Sequence, residues 1–213
     1  THAVGSVARE RSLRLGYFGA STGAAAAILA ASELDDACAI EAVVSRGGRR
    51  DLAGQRALAR LACEHVGGSE RPRVLVGGLG MGFTLRATLD LLPPTAIVTV
   101  AELVPAVVEW NRGPLASLAG QPLHDRRVRI AVEDVGFTLR ANPGRFDAIL
   151  LDVDNGPDAF TSLNNHGLYD NAGVAAAFAA LKMGGALAVW SAWEDRKFEQ
   201  RLRFHGFVAQ IDR

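Results

Sequence analysis

Short apolar runs alternate along the chain with longer stretches in which apolar residues recur every three or four positions, the periods of buried strands and of amphipathic helices. Residues 13–18 are a short, mostly apolar run interrupted by Arg14, a glycine-rich turn follows, and an alanine-rich stretch at 22–34 leads into the β-rich segment 40–45. That order predicts a strand, a helix and a second strand. Residues 45–51 read as a loop, after which Leu58, Leu61, Ala62 and Cys63 share a helical face that Gly67 and Gly68 terminate. The alternation then repeats: a strand from Arg73, a helix over 83–92, a strand from Ala96, a helix over 105–111 and a strand from Val128. The segment 146–154 is the most hydrophobic strand. Its Ala148-Ile149-Leu150-Leu151 core does not alternate, as expected of a parallel strand covered on both faces. After a long loop come a helix over 172–181, a turn at Gly184-Gly185, a strand over 186–192, a helix over 196–203 and a last strand from Phe207. The pattern predicts an α/β fold built on a doubly wound, mostly parallel sheet, with an N-terminal βαβ extension at its edge.

Length and composition narrow this further. The 213 residues suit one α/β-sized domain and a small appendage, divided by the pattern into 1–54 and 55–213. With 49% hydrophobic and 22% charged residues, the chain can bury a core, which excludes a disordered or disulfide-stapled protein. The 23 basic and 23 acidic side chains cancel; no global field draws the chain to nucleic acid or to an anionic membrane. Cys38 and Cys63 are the only cysteines and read as free thiols in a reducing cytoplasm. Twenty-one of the 23 basic residues are arginine, a bias of GC-rich bacterial genomes. Residues 15–32 carry no charge, but Gly16, Gly19, Ser21, Thr22 and Gly23 punctuate them, so they read as a strand turning into a helix rather than a bilayer span.

The strongest local signal is Val74-Leu-Val-Gly-Gly-Leu-Gly-Met-Gly-Phe, a strand entering a loop with glycines 77, 78, 80 and 82 and then a helix. Glycine lets backbone approach a ligand closely, and the helix start offers unpaired N–H groups. No Gly-Lys-Ser/Thr follows, which excludes a Walker-type phosphate loop. Glu102 ends the next strand, some twenty residues on, where a carboxylate can accept hydrogen bonds from both hydroxyls of a ribose. Glu133 and Asp134 end the strand after that, and Asp152 with Asp154 end the one beginning at Phe146. In a doubly wound sheet these ends open on one crevice. A nucleoside-containing cofactor is implied, with no metal.

On these segments, with "VAELVPAVVEWNRGPLA", "FDAILLDVDNGPDAFT" and "LYDNAGVAAAFAALKMGGALAVWSA", residues 55–211 resemble the spermidine synthase-like branch of the Rossmann-like class I S-adenosylmethionine transferases. The resemblance implies that Gly77 to Gly82 line the methionine and ribose part of S-adenosylmethionine or its decarboxylated form. It places Glu102 on the ribose hydroxyls, Asp134 on the adenine amino group, and Asp152 at the reacting end. It also implies a small-molecule acceptor such as a polyamine, and a homodimer. Tyr169, Trp190 and Trp193 would shape the acceptor pocket, although Trp190 reads equally as core. Two positions depart from the family: its glycine-loop aspartate, which holds the cofactor's amine, is absent from Gly78-Leu79-Gly80-Met81, and three residues after Asp152 stands Asn155 in place of a second aspartate. Asp154 is the nearest substitute. The departures leave aminopropyl and methyl transfer both open, together with a non-catalytic nucleoside-binding scaffold.

Residues 13–54 resemble instead the dienelactone hydrolase-like α/β-hydrolases. Gly19-Ala20-Ser21-Thr22-Gly23 fits the strand-to-helix elbow that exposes a nucleophilic serine. A hydrolase using Ser21 needs a later acid and histidine, and among His2, His65, His124, His166 and His205 the least distant in context is His166.

Overall fold

Five apolar runs of the chain become the strands of one sheet in the computed structural model, which describes residues 15–20, 40–46, 53–66, 69–153, 166–191 and 195–209. The chain divides into two compact units, Thr1–Asp51 and Leu52–Arg213. In the first, β1 (Leu15–Ala20) pairs in parallel with β2 (Ile40–Arg46) as a two-stranded sheet of its own, rather than as added strands of the larger sheet. The segment between them, including Ser21, lies outside the described residues.

The second unit runs α1 (Ala53–Cys63), β3 (Arg73–Gly77), α2 (Phe83–Leu91), β4 (Ile97–Ala101), α3 (Pro105–Arg112), β5 (Val128–Ala131), α4 (Val135–Ala141), β6 (Phe146–Leu151), α5 (His166–Tyr169), α6 (Asn171–Ala180), β7 (Leu181–Val189) and α7 (Arg196–Phe204). The strand order is β5-β4-β3-β6-β7, with every pair parallel. The chain winds outward from β3 in one direction, then returns to β6 and winds in the other. The reversal between β3 and β6 is the topological switch point, where such sheets open a crevice beyond the carboxyl ends of their strands.

Alternation within the strands assigns the two faces. Val74, Val76, Val98, Val100, Ala148 and Leu150 pack with Leu58, Ala59 and Ala62 of α1, Leu85 and Leu89 of α2, and Val107 and Val108 of α3. Leu75, Ile149 and Leu151 pack on the other side with Val135 and Leu139 of α4, Val174, Ala177 and Ala180 of α6, and Phe198 of α7. Three helix starts have a local cause. Asp170 accepts from the Gly173 N–H at 2.9 Å and Asp195 from Lys197 and Phe198, the side-chain caps that four orphan amides demand; Pro105 opens α3, where a missing N–H costs nothing.

Two expectations need correction. The segment expected as helix end, turn and new strand is a single bulged strand, β7: Phe146 pairs with Leu181 and Ala148 already with Ala186. The extra residues bulge through Gly184, whose φ is +77°, and Asp147 anchors them by accepting from Lys182 Nζ at 2.7 Å while the same oxygen accepts the Arg73 N–H at 2.7 Å. Residues 207–209, expected to start a last strand, form none.

Candidate functional site

The glycine loop leaves β3 against the neighbouring strand β6. The Gly78 N–H donates to the Ala101 carbonyl at 2.9 Å and the Asp152 N–H to the Gly77 carbonyl at 2.9 Å, so the ends of β4, β3 and β6 are stitched together where the loop begins. At Gly78, with φ +88°, a Cβ would stand 2.5 Å from the Asp152 carbonyl oxygen. Only glycine fits that approach. At Gly77 a Cβ would stand 2.8 Å from Val135 Cγ2, which brings the start of α4 to the same edge. Gly82 caps α2 in the left-handed region with no side-chain hydrogen bond, leaving the first amides of that helix to other partners.

Glu102 follows β4 and is 7% exposed. Its Oε2 accepts the Leu79 N–H at 2.8 Å and its Oε1 the Val104 N–H at 2.9 Å. A buried carboxylate is tolerated when both oxygens are hydrogen-bonded, and each still has a lone pair to offer. Asp152 sits at the switch point, half-buried, with Oδ2 accepting from Thr84 Oγ1 at 2.5 Å. Thr84 is in the first turn of α2 and almost wholly buried, so that turn and the carboxyl end of β6 are joined directly.

The end of β5 contributes less rigidly. Asp134 is exposed and caps α4 by accepting the Phe137 N–H at 3.2 Å, while Glu133 accepts from Thr138 Oγ1 at 2.6 Å. Leu103, Val104, Val132 and Phe137 all stand exposed beside these acids, an apolar margin to a polar cradle. Sequence reasoning missed Thr84 and Asn111. Asn111 is 1% exposed and donates from Nδ2 to the Gly80 carbonyl at 2.8 Å; the signal for it was an amide at helical spacing from Val107 and Val108.

The structure thus sets Gly77, Gly78, Gly80, Gly82, Glu102 and Asp152 at the carboxyl edge of the sheet around the switch point, with Glu133 and Asp134 at the end of β5 beyond β4. Asp154 and Trp193 lie outside the described residues, as do Ser21 and the His166 side chain. Tyr169 is 3% exposed and meets Phe198 edge-on, ring centroids 5.6 Å apart, while its hydroxyl donates to the Val153 carbonyl at 3.4 Å, next to Asp152. Trp190 packs half-buried against the first core face. A separate cleft of about 350 Å³ opens at the amino ends of the strands between Ser69, Asp147, Lys182 and Gly184, away from all the acids above. Among the described residues no helix is long and apolar enough to cross a membrane.

Comparison with solved structures places the fold. A spermidine synthase in complex with the transition-state analogue AdoDATO superposes over 72% of this chain and 50% of its own, with a TM-score of 0.55 and 20% identity. Spermidine synthase from Thermotoga maritima does so over 72% and 51%, with a TM-score of 0.56 and 21% identity. The Rossmann-like sheet of these enzymes is therefore the fold of this chain, which spans about half their length. No family model matches. Two Mycobacterium tuberculosis proteins, from strains CDC 1551 and H37Rv, described as candidate phosphoribosyl transferases, are 65% identical over 43 residues, 20% of this chain and 9% of theirs. The dienelactone hydrolase-like expectation for residues 13–54 finds no support in these comparisons.

Proposed function

We propose that the larger unit binds an S-adenosyl nucleoside, S-adenosylmethionine or its decarboxylated form, and transfers a group from it to a small-molecule acceptor of the polyamine type. The observation that carries this reading is Glu102: a buried carboxylate at the carboxyl end of β4, beside the switch point and hydrogen-bonded to the glycine loop. A ribose set there would donate both hydroxyls to Glu102, whose remaining lone pairs face a loop already aligned by the Leu79 contact. The exposed apolar margin of Leu103, Val104, Val132 and Phe137 suits the faces of an adenine ring, and Asp134 its amino group.

The sulfonium supplies an electrophilic carbon; the protein supplies position and a base. Asp152, oriented by Thr84, would accept the proton of an attacking nitrogen as the new C–N bond forms and the C–S bond breaks, the thioether leaving neutral. The residues fit such a ligand in their donor set, with one exception: the aspartate by which the resembled family holds the cofactor's amine is absent from Gly78-Leu79-Gly80-Met81. Titration calorimetry with methylthioadenosine tests the reading. Glu102→Ala removes charge-assisted hydrogen bonds of about 1.5–3 kcal/mol each, which is at least about tenfold in affinity. Unchanged affinity in a folded variant sinks the assignment.

A further inference from the structure

The basic and acidic side chains cancel in sum but not in space. The five strands of the larger sheet are all parallel, so their carboxyl ends share one edge and their amino ends the other. At the carboxyl edge stand Glu102, Glu133, Asp134, Asp152, Asp170 and Asp195, with Arg196 and Lys197 beside the last of them. The segments that lead into the strands carry the opposite sign. Arg71 and Arg73 stand at the entry to β3, Arg126, Arg127 and Arg129 at that of β5, and Arg145 at that of β6; Lys182 is the second residue of β7, and Arg140 is in the last turn of α4, which returns to this edge.

Acids share the amino edge, but most are already neutralised. Asp125 is paired with Arg127 and Asp147 with Lys182, each at 2.7 Å, and Asp90 with Arg86 at 2.6 Å; Glu70 remains. Arg71, Arg126, Arg129, Arg140 and Arg145 are exposed and enter no ion pair among the described residues. From β5 to β7 the row crosses the whole sheet, about 19 Å at about 4.8 Å per strand. Like charges held this close repel one another in the free chain, and a polyanion relieves them.

Exposed rings close one end of the row. The Gly144 and Arg145 N–H groups donate to the Ala179 and Ala180 carbonyls at 2.7 and 2.9 Å, which sets Arg145 within a turn of Phe178, itself 47% exposed. The chain after α7 folds onto the same ring: Phe207 meets it edge-on, centroids 5.1 Å apart, and Phe204 is left 81% exposed. The cleft of about 350 Å³ beside Ser69, Asp147, Lys182 and Gly184 makes the face concave between the entries to β3 and β7.

We propose that the amino edge of the sheet is a docking surface for single-stranded nucleic acid, with the arginines on successive phosphates and Phe178 and Phe204 stacking on bases. Guanidinium forks match phosphate oxygens, and a line of charge fits a chain rather than a compact ligand. Rings at its end suit unpaired bases, whose faces a duplex hides. An anionic lipid surface fits less well, since the rings stand at one end of the row instead of along it. The surface lies on the edge opposite the crevice and does not depend on the nucleoside reading.

Fluorescence anisotropy of the full chain with labelled oligo(dT) of about 20 nucleotides tests this, with the matching duplex and vesicles containing phosphatidylserine as competitors. Affinity should fall with salt at a log–log slope of about −3, four or five phosphates at about −0.7 each. Arg126→Glu together with Arg145→Glu should flatten the slope to about −2 and weaken binding at least roughly tenfold. Arg196→Glu with Lys197→Glu, the same change of net charge at the other edge, should leave it within about twofold. Phe204→Ala should weaken it roughly five- to hundredfold at an unchanged slope, the loss of one stacked base. All these side chains are exposed, so the variants should melt with the wild type. Equal losses from the two charge-reversed pairs, or a duplex bound as tightly as the single strand, overturn the proposal. So does capture by the vesicles and not by the oligonucleotide, or no binding at about 50 mM salt.

Discussion

Gly78→Ala puts the geometry of the switch point to a quantitative test. The residue has φ +88°, and a left-handed backbone costs an ordinary L-residue about 1–2 kcal/mol. The added methyl would also stand 2.5 Å from the Asp152 carbonyl oxygen, and neither partner can swing aside, because the Gly78 N–H is bonded to Ala101 and the Asp152 N–H to Gly77. The end of β3 must move from the end of β6, an overpacking penalty of about 1–3 kcal/mol. The combined loss of about 2–5 kcal/mol corresponds to a melting temperature lower by about 4–20 °C for a chain of this size. Gly80→Ala is the internal control: its φ is +51°, but a methyl there meets nothing within 4 Å, so only the backbone cost applies, about 2–8 °C. Thermal unfolding followed by circular dichroism measures both. If the two variants melt together, or Gly78→Ala melts with the wild type, the close approach of loop and strand is refuted.

Two other sites give independent checks. The Arg127 guanidinium, hydrogen-bonded to Asp125 at 2.7 Å, holds that carboxyl down at about 2 against an ordinary 3.8. A carboxyl depressed on folding adds stability that is present above about pH 4 and lost as the pH falls through about 2. Asp125→Asn should therefore cost about 1 kcal/mol at pH 7, discounted for the solvent that reaches the pair, and much less at pH 2; urea unfolding showing an equal cost at both would refute this. Thr84→Val removes a buried hydroxyl donating to the Asp152 carboxylate, worth about 1.5–3 kcal/mol, whereas Thr84→Ser should retain most of it. Urea midpoints for the two variants decide the matter, and a valine variant as stable as the wild type would show that the contact contributes nothing.

Much of the larger unit was legible because its cause is local. The unalternating core of β6 announced a strand covered on both faces, and it is the strand beside the switch point, with Ala148 to Leu150 wholly buried. The glycine-rich turn between strand and helix is where it was expected, and glycines 78, 80 and 82 all have positive φ. The misreadings have nonlocal causes. Gly184-Gly185 carries a turn signal in any sequence, but here parallel pairing with β6 and the Asp147–Lys182 ion pair continue the strand through a bulge. Asn111 belongs to no motif; only the tertiary approach of α3 to the loop gives it a partner. In the first unit, the parallel pairing of β1 with β2 matches the expected strand order, while the serine elbow falls on residues outside those described.

The central claim is that the crevice holds an S-adenosyl nucleoside, and calorimetric titration of the wild-type chain with S-adenosylmethionine, its decarboxylated form and methylthioadenosine tests it most directly. Saturable one-to-one binding of all three is the expected result. Absence of heat and of competition with any of the three, in protein that melts cooperatively, would contradict the claim and leave the glycine loop, Glu102 and Asp152 as elements of the fold alone.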